Sequence, residues 1–184
     1  MDRDEFRKFV EAEMRRLFQA ARQRDELSFL FAVVGFDSGA EDPGWKPIGE
    51  TQALVHDLVG LINGPLHDDT KARMALFLYC HITEANFIYH CLYILLLTIE
   101  GQPPKVFNFL DKYKNGAPPS VSAKATEISA KALEQGFKGV KDILDEIIRP
   151  NIRNPFFHSD YILFEGKFRL GSGPINRIPM SGVS

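Results

Sequence analysis

The sequence predicts a mostly α protein, a helical bundle with two long core helices and a small C-terminal β-hairpin. Two segments with helical apolar periodicity, 66–101 and 121–150, predict the long helices. A short alternating stretch, "YILFEGKFRL" (161–170), broken in the middle by Glu165-Gly166, predicts the hairpin. A chain of 184 residues suits one domain over 1–184, long enough to bury roughly 70% of its unfolded surface. Within it, the hairpin and a patternless arm occupy about 160–184.

The elements follow in order. Residues 4–25 place Phe6, Val10, Leu17 and Ala21 on one face among charges, an amphipathic helix. The apolar run "LSFLFAVVGF" (27–36) extends or follows it into the core. Gly and Pro punctuate 37–50, which reads as a loop with Trp45 as an apolar lid. A short helix over 51–63 stops at Gly64-Pro65. The long segment then begins at a cap from Asp68 or Asp69 and ends at Gly101. A further short helix covers 105–114, before the breaker "NGAPPS". In the second long helix Gly136 and Gly139 each cost ~1 kcal/mol relative to Ala, and they let a neighbouring helix approach.

Composition narrows the function classes. Hydrophobic content of 45% and charged content of 25% describe an ordinary globule. A net charge of -2 argues against nucleic-acid binding by bulk charge, but residues 149–184 are locally basic, with Arg149, Arg153, Lys167, Arg169 and Arg177 against Asp160 and Glu165. Cys80 and Cys91, eleven residues apart on one helix, would sit about 16 Å from each other, too far for a disulfide. The amino terminus alternates charge and lacks an apolar secretory core, so the expected location is the cytoplasm. His81, Glu84, Asn86 and His90 interrupt the central apolar segment and leave 91–99 charge-free, short of the ~20 residues of a span. No membrane association is expected.

The usual catalytic signatures are missing. There is no P-loop, CxxC or HExxH, and "GSGP" lacks the strand-helix context of a dinucleotide fingerprint. His81-x-x-Glu84 is a single, reversed copy of a carboxylate-bridged metal motif, so no metal or other cofactor is expected. On the central helix Tyr79, Thr83, Asn86, His90 and Tyr93 form a polar stripe among Leu, Ile and Phe. Such a stripe is either a satisfied network against a neighbouring helix or the lining of a cleft beside Glu84.

The densest chemistry lies in "NIRNPFFHSDY", residues 151–161. On a regular helix Asn154 and His158 share a face, while Arg153 and His158 lie about 140° apart. Arginine offers a rigid donor fork for phosphate and histidine a proton acceptor or donor, a combination suited to phosphodiester cleavage. The structural alternative has Arg153 capping helix carbonyls, His158 packed in the core and Ser159-Asp160 forming a turn. Phe156 and Phe157 have three readings, packing inward, stacking on a base or forming a dimer seam, of which inward packing is the expectation.

Arg153-Asn154-x-x-x-His158 after a long bundle helix resembles the R-x4-6-H signature of the HEPN superfamily, and "RNPFFHSDY" is similar to the "RN…HSDY" segment of uncharacterised bacterial members. The resemblance covers about 149–161. It implies a homodimer that brings two motifs together across a two-fold axis. It also implies a metal-independent endoribonuclease leaving a 2′,3′-cyclic phosphate, or else a non-catalytic module binding a nucleotide, RNA or an antitoxin-like protein partner. Carried over, His158 is the general acid or base in attack by the ribose 2′-OH, and Arg153 stabilises the transition-state charge. Asn154 contacts phosphate or orients His158, Glu84 holds Arg153 with Asn86 nearby, and Arg149, Lys167 and Arg169 line the RNA path.

Overall fold

The computed structural model describes residues 1–38, 47–104, 109, 119–164, 167–170 and 178–179. The Trp45 lid, the 105–114 helix as an element, the 115–118 breaker, the Glu165-Gly166 turn and Arg177 lie outside the described residues. Among the described residues the chain is mostly α with a small C-terminal sheet, as its pattern predicts. The helices are α1 (Arg3–Arg24), α2 (Glu26–Ser38), α3 (Pro47–Ile62), α4 (Asp68–Glu84), α5 (Asn86–Glu100), α6 (Val121–Glu134), α7 (Lys138–Ile147) and α8 (Pro150–Phe157). The strands are β1 (Tyr161–Phe164), β2 (Lys167–Leu170) and β3 (Ile178–Pro179).

Neither expected long helix is continuous. The 66–101 segment breaks at Ala85, whose extended ψ of 102° separates α4 from α5. Just before the break, Thr83 Oγ1 donates back to the Cys80 carbonyl at 3.1 Å, a competing bond that bends helices. The start of α4 also differs: Asp68 and Asp69 occupy its first turn, and the His67 ring Nδ1 accepts the Asp69 N–H at 3.3 Å. The 121–150 segment stops at Gly136, in the left-handed region at φ 79°. Gly136 and Phe137 donate their N–H groups to Leu133 and Ala132 carbonyls at 3.1 and 2.7 Å, closing α6 before α7 begins. Gly136 therefore ends a helix. Both ends of the stretch expected as a loop at 37–50 are helical, since α2 runs to Ser38 and α3 starts at Pro47, a first-turn position that suits proline.

The chain divides into two compact units, Met1–Glu50 with Glu84–Ile148, and Thr51–Thr83 with Arg149–Ser184. The first is a helical bundle around α5, whose residues Cys91–Thr98 are all buried. Leu17 and Ala21 of α1, Ala32 of α2, Val121, Ile128 and Ala132 of α6, and Val140 and Leu144 of α7 complete that core. The α1–α2 junction is Asp25, which ends α1 while its carboxylate accepts from the Ser28 hydroxyl and the Leu27 and Ser28 N–H groups. These hydrogen bonds, led by the Ser28 hydroxyl, hold its carboxyl below the usual range. Cys80 and Cys91 are buried and form no disulfide, and burial pushes the Cys91 thiol up to about 12. The run Asp68–Glu100 is long and apolar enough to cross a membrane by length and composition, and half of its apolar 18-residue window is buried inside the protein.

The second unit has its own small core of Leu76, Leu163 and Phe168, flanked by Ala72, Ile152, Phe156, Tyr161 and Leu170. Its sheet has the order β1-β2-β3. The hairpin pairs Tyr161 with Leu170 and Leu163 with Phe168, so these four share the core face. Residues 178–179, expected within a patternless arm, pair with β2 as a short third strand.

Gly139 shows why a glycine stands in the first turn of α7. A Cβ there would collide with the Glu13 carboxylate. That carboxylate faces a helix start that has no side-chain cap of its own, where the helix dipole favours negative charge. Arg16 fixes the same corner: it pairs with Glu13 at 2.8 Å, donates to the Gly136 carbonyl at 3.2 Å and lies 4.5 Å over the Phe137 ring. Gly139→Ala is expected to cost about 1–3 kcal/mol in chemical denaturation. In a Glu13→Ala background the same change should be neutral or stabilise by up to about 1 kcal/mol, because helix propensity favours alanine, and an undiminished cost there would contradict this account of the corner.

Candidate functional site

The expected catalytic residues lie on α8 and its C-cap. Pro150 occupies the first turn, and Arg149 stands at the N-cap position without a side-chain cap. Eight residues are too few for a helix to persist unaided, and Pro155 within it donates no N–H. Tertiary contacts supply the difference. Ile152 and Phe156, four apart, form the inward stripe. Phe156 stacks on Tyr161 at 5.3 Å, and Tyr161 stacks on Phe168 at 5.1 Å, which ties the helix to the hairpin.

The inward stripe dictates the other two. Arg153 and Phe157 form the next one, with the guanidinium carbon 5.9 Å from the ring centroid. Asn154 and His158 form the third, both exposed. Arg153 Nη1 donates to Asn154 Oδ1 at 3.3 Å and links the two outer stripes. Asn154 thus engages the arginine through its side chain and His158 through its backbone carbonyl, which accepts the His158 N–H at 3.0 Å. The His158 imidazole has no partner among the described residues. Phe156 is partly buried, whereas Phe157 is 51% exposed, so only the first of the two phenylalanines packs inward.

The C-terminus of α8 is built as a turn. Ser159 takes φ 54°, a left-handed value usually given to glycine, and Asp160 and Ser159 donate to the Pro155 and Phe156 carbonyls at 2.8 and 3.2 Å. This closure fixes the residue after His158 at some cost in backbone strain.

Tyr79 was visible in the sequence only as part of a polar stripe. Its hydroxyl accepts the backbone N–H of Arg149 at 2.8 Å, pinning the start of α8 to α4. Burial raises the phenol, while this hydrogen bond and the nearby Arg149 and Arg153 charges pull the other way. The remaining members of that stripe divide. Asn86 Oδ1 accepts from Lys124 Nζ, and Tyr93 donates to Glu127 at 3.3 Å, so this half packs α5 against α6 in the first unit. Glu84 also falls in the first unit and Arg153 in the second.

Of the basic residues, Arg149 and Arg153 share α8 with His158. Lys167 and Arg169 alternate with Phe168 and Leu170 along β2, so they lie on the sheet face opposite the core face. Among the described residues no three His, Cys, Asp or Glu side chains converge. Compared with family models, curated proteins and solved structures, the chain matches none.

Tyr79→Phe keeps the ring and removes one acceptor from Arg149. It is expected to cost about 1 kcal/mol and to accelerate amide exchange at Arg149 and in the first turn of α8. Unchanged exchange at Arg149 would show that the hydroxyl does not hold the helix.

Proposed function

We propose that the chain is a cytoplasmic, HEPN-like, metal-independent endoribonuclease that acts as a homodimer. The observation behind this reading is the division of α8 into faces. Ile152 and Phe156 anchor it, which leaves Arg153, Asn154 and His158 together on the outer stripes. Arginine and histidine so placed are the two groups that in-line attack by a ribose 2′-OH requires. One His158 takes the 2′-OH proton as O2′ attacks phosphorus. The P–O5′ bond breaks, a 2′,3′-cyclic phosphate forms, and the leaving 5′-oxygen receives a proton from the second motif of the dimer. Arg153 balances the extra negative charge on the pentacoordinate phosphorus. Asn154 holds the guanidinium, through the 3.3 Å bond that links them.

A non-catalytic module for a nucleotide, RNA or protein partner is the competing reading. It draws on the placement of the Arg153 guanidinium against Phe157 and Asn154. Cleavage of a mixed RNA pool in EDTA decides between them. Wild type should produce cyclic-phosphate ends, and Arg153→Ala and His158→Ala should each lower the rate at least a hundredfold with the fold retained. A well-folded wild type that leaves the pool intact would favour the binding module.

A further inference from the structure

We propose that α3 is the docking surface for an amphipathic helix of a protein partner, one whose apolar face is edged with lysine or arginine. The proposal is independent of the chemistry at α8. From Thr51 onward α3 belongs to the second unit. At 100° per residue, Leu54, Val55, Leu58, Val59, Leu61 and Ile62 fall on one arc of about 160°, while His56, Asp57 and Gly60 lie off it. An apolar arc of that width is what a surface helix turns toward a core. Here it has none. Among residues 48–62 not one is buried, and among the described residues none of them packs against either hydrophobic core. Val59 is 41% exposed and Leu61 54%, and Leu66, just past the helix end, adds another exposed leucine.

Charge decides what covers the arc. From Thr51 to Thr70 the chain has three acids, Asp57, Asp68 and Asp69, and no lysine or arginine. Asp57 is exposed and sits one turn before Leu61, at the edge of the arc. An anionic lipid surface or an RNA backbone would meet these acids with no lysine or arginine to pair its own charge. A second copy of α3 would bring the same acids to both sides of the seam. A helix with apolar side chains inward and lysine or arginine at its margin covers the arc and pairs with Asp57 across the rim. The arc itself carries no charge, as the centre of a protein–protein seam requires.

Three synthetic helical peptides of the length of α3 serve as probes. One has a leucine face edged by lysine, one the same face edged by glutamate, and one keeps the lysines but has glutamine for leucine. Titrated into the isotope-labelled full-length chain at physiological salt, the leucine–lysine peptide should bind saturably and shift backbone NMR signals centred on α3. The other two should each bind at least roughly tenfold more weakly. The double variant Val59→Ser/Leu61→Ser changes only exposed side chains. It should lower affinity for the leucine–lysine peptide roughly tenfold at an unchanged melting temperature. Asp57→Lys should reverse the preference between lysine and glutamate edges. Absent binding, equal binding of the glutamine peptide, an unreversed preference, wild-type affinity in the double variant or shifts centred elsewhere each overturn the proposal. A sedimentation coefficient that falls in the double variant also overturns it and makes α3 a seam between copies. Binding to phosphatidylglycerol vesicles that is lost in the double variant overturns it in favour of a lipid contact.

Discussion

A helix of eight residues with a proline inside it cannot hold three polar side chains in register by its own hydrogen bonds. What holds α8 is the burial of Ile152 and Phe156 against Leu76 of α4 and the core face of the hairpin. The run of rings from Phe156 through Tyr161 to Phe168 joins helix and sheet, and Phe168 is 1% exposed. Once those two side chains point inward, the 3.6-residue period leaves Arg153, Asn154, Phe157 and His158 no other side to occupy. The hairpin is bound by the same constraint. A one-residue slip of β2 would turn Phe168 outward and bring Lys167 or Arg169 onto the aromatic ladder, so pairing register and site geometry are fixed together.

The bundle unit solves a different problem. Its central helix is buried from Cys91 to Thr98, and it carries Asn86, Tyr89, His90 and Tyr93 along its first half. These groups do not stay unpaired: Lys124, only 5% exposed, donates to Asn86 and lies 5.8 Å over the Tyr89 ring, and Tyr93 reaches Glu127. Further along, Lys131 bonds Glu100 at 2.6 Å. The partners succeed one another in the same direction along both helices, from 86 with 124 to 100 with 131. A polar ladder of this kind specifies register as well as contact, because sliding either helix by a turn would bury the lysine without its acceptor.

Much of the architecture was legible in the sequence. The faces of α1, the Gly101 stop and the alternation in 161–170 all follow from periodicity and residue chemistry. The breaks at Ala85 and Gly136 were not. Periodic apolar patterns continue across both, and a glycine inside such a pattern reads equally as a tolerated cost or as a stop. Only the tertiary context, Arg16 on the Gly136 carbonyl and Glu13 at the start of α7, separates the two. Likewise, nothing local distinguishes Phe156 from Phe157. The partner sheet decides which faces inward, and that in turn decides that the Arg153 and His158 stripes both lie away from the core. Tyr79 lies seventy residues from Arg149, beyond the reach of any local pattern.

The central claim is that α8 presents Arg153 and His158 as parts of one phosphate site. NMR of the arginine Nε–H and histidine ring signals tests it most directly, during titration with a 2′-deoxy dinucleotide monophosphate that cannot be cleaved. The account predicts that Arg153 and His158 signals move together along one binding curve with a single Kd, and that both responses vanish in Arg153→Ala. A His158 ring that stays unperturbed while Arg153 saturates would contradict it, leaving the arginine as an isolated phosphate contact.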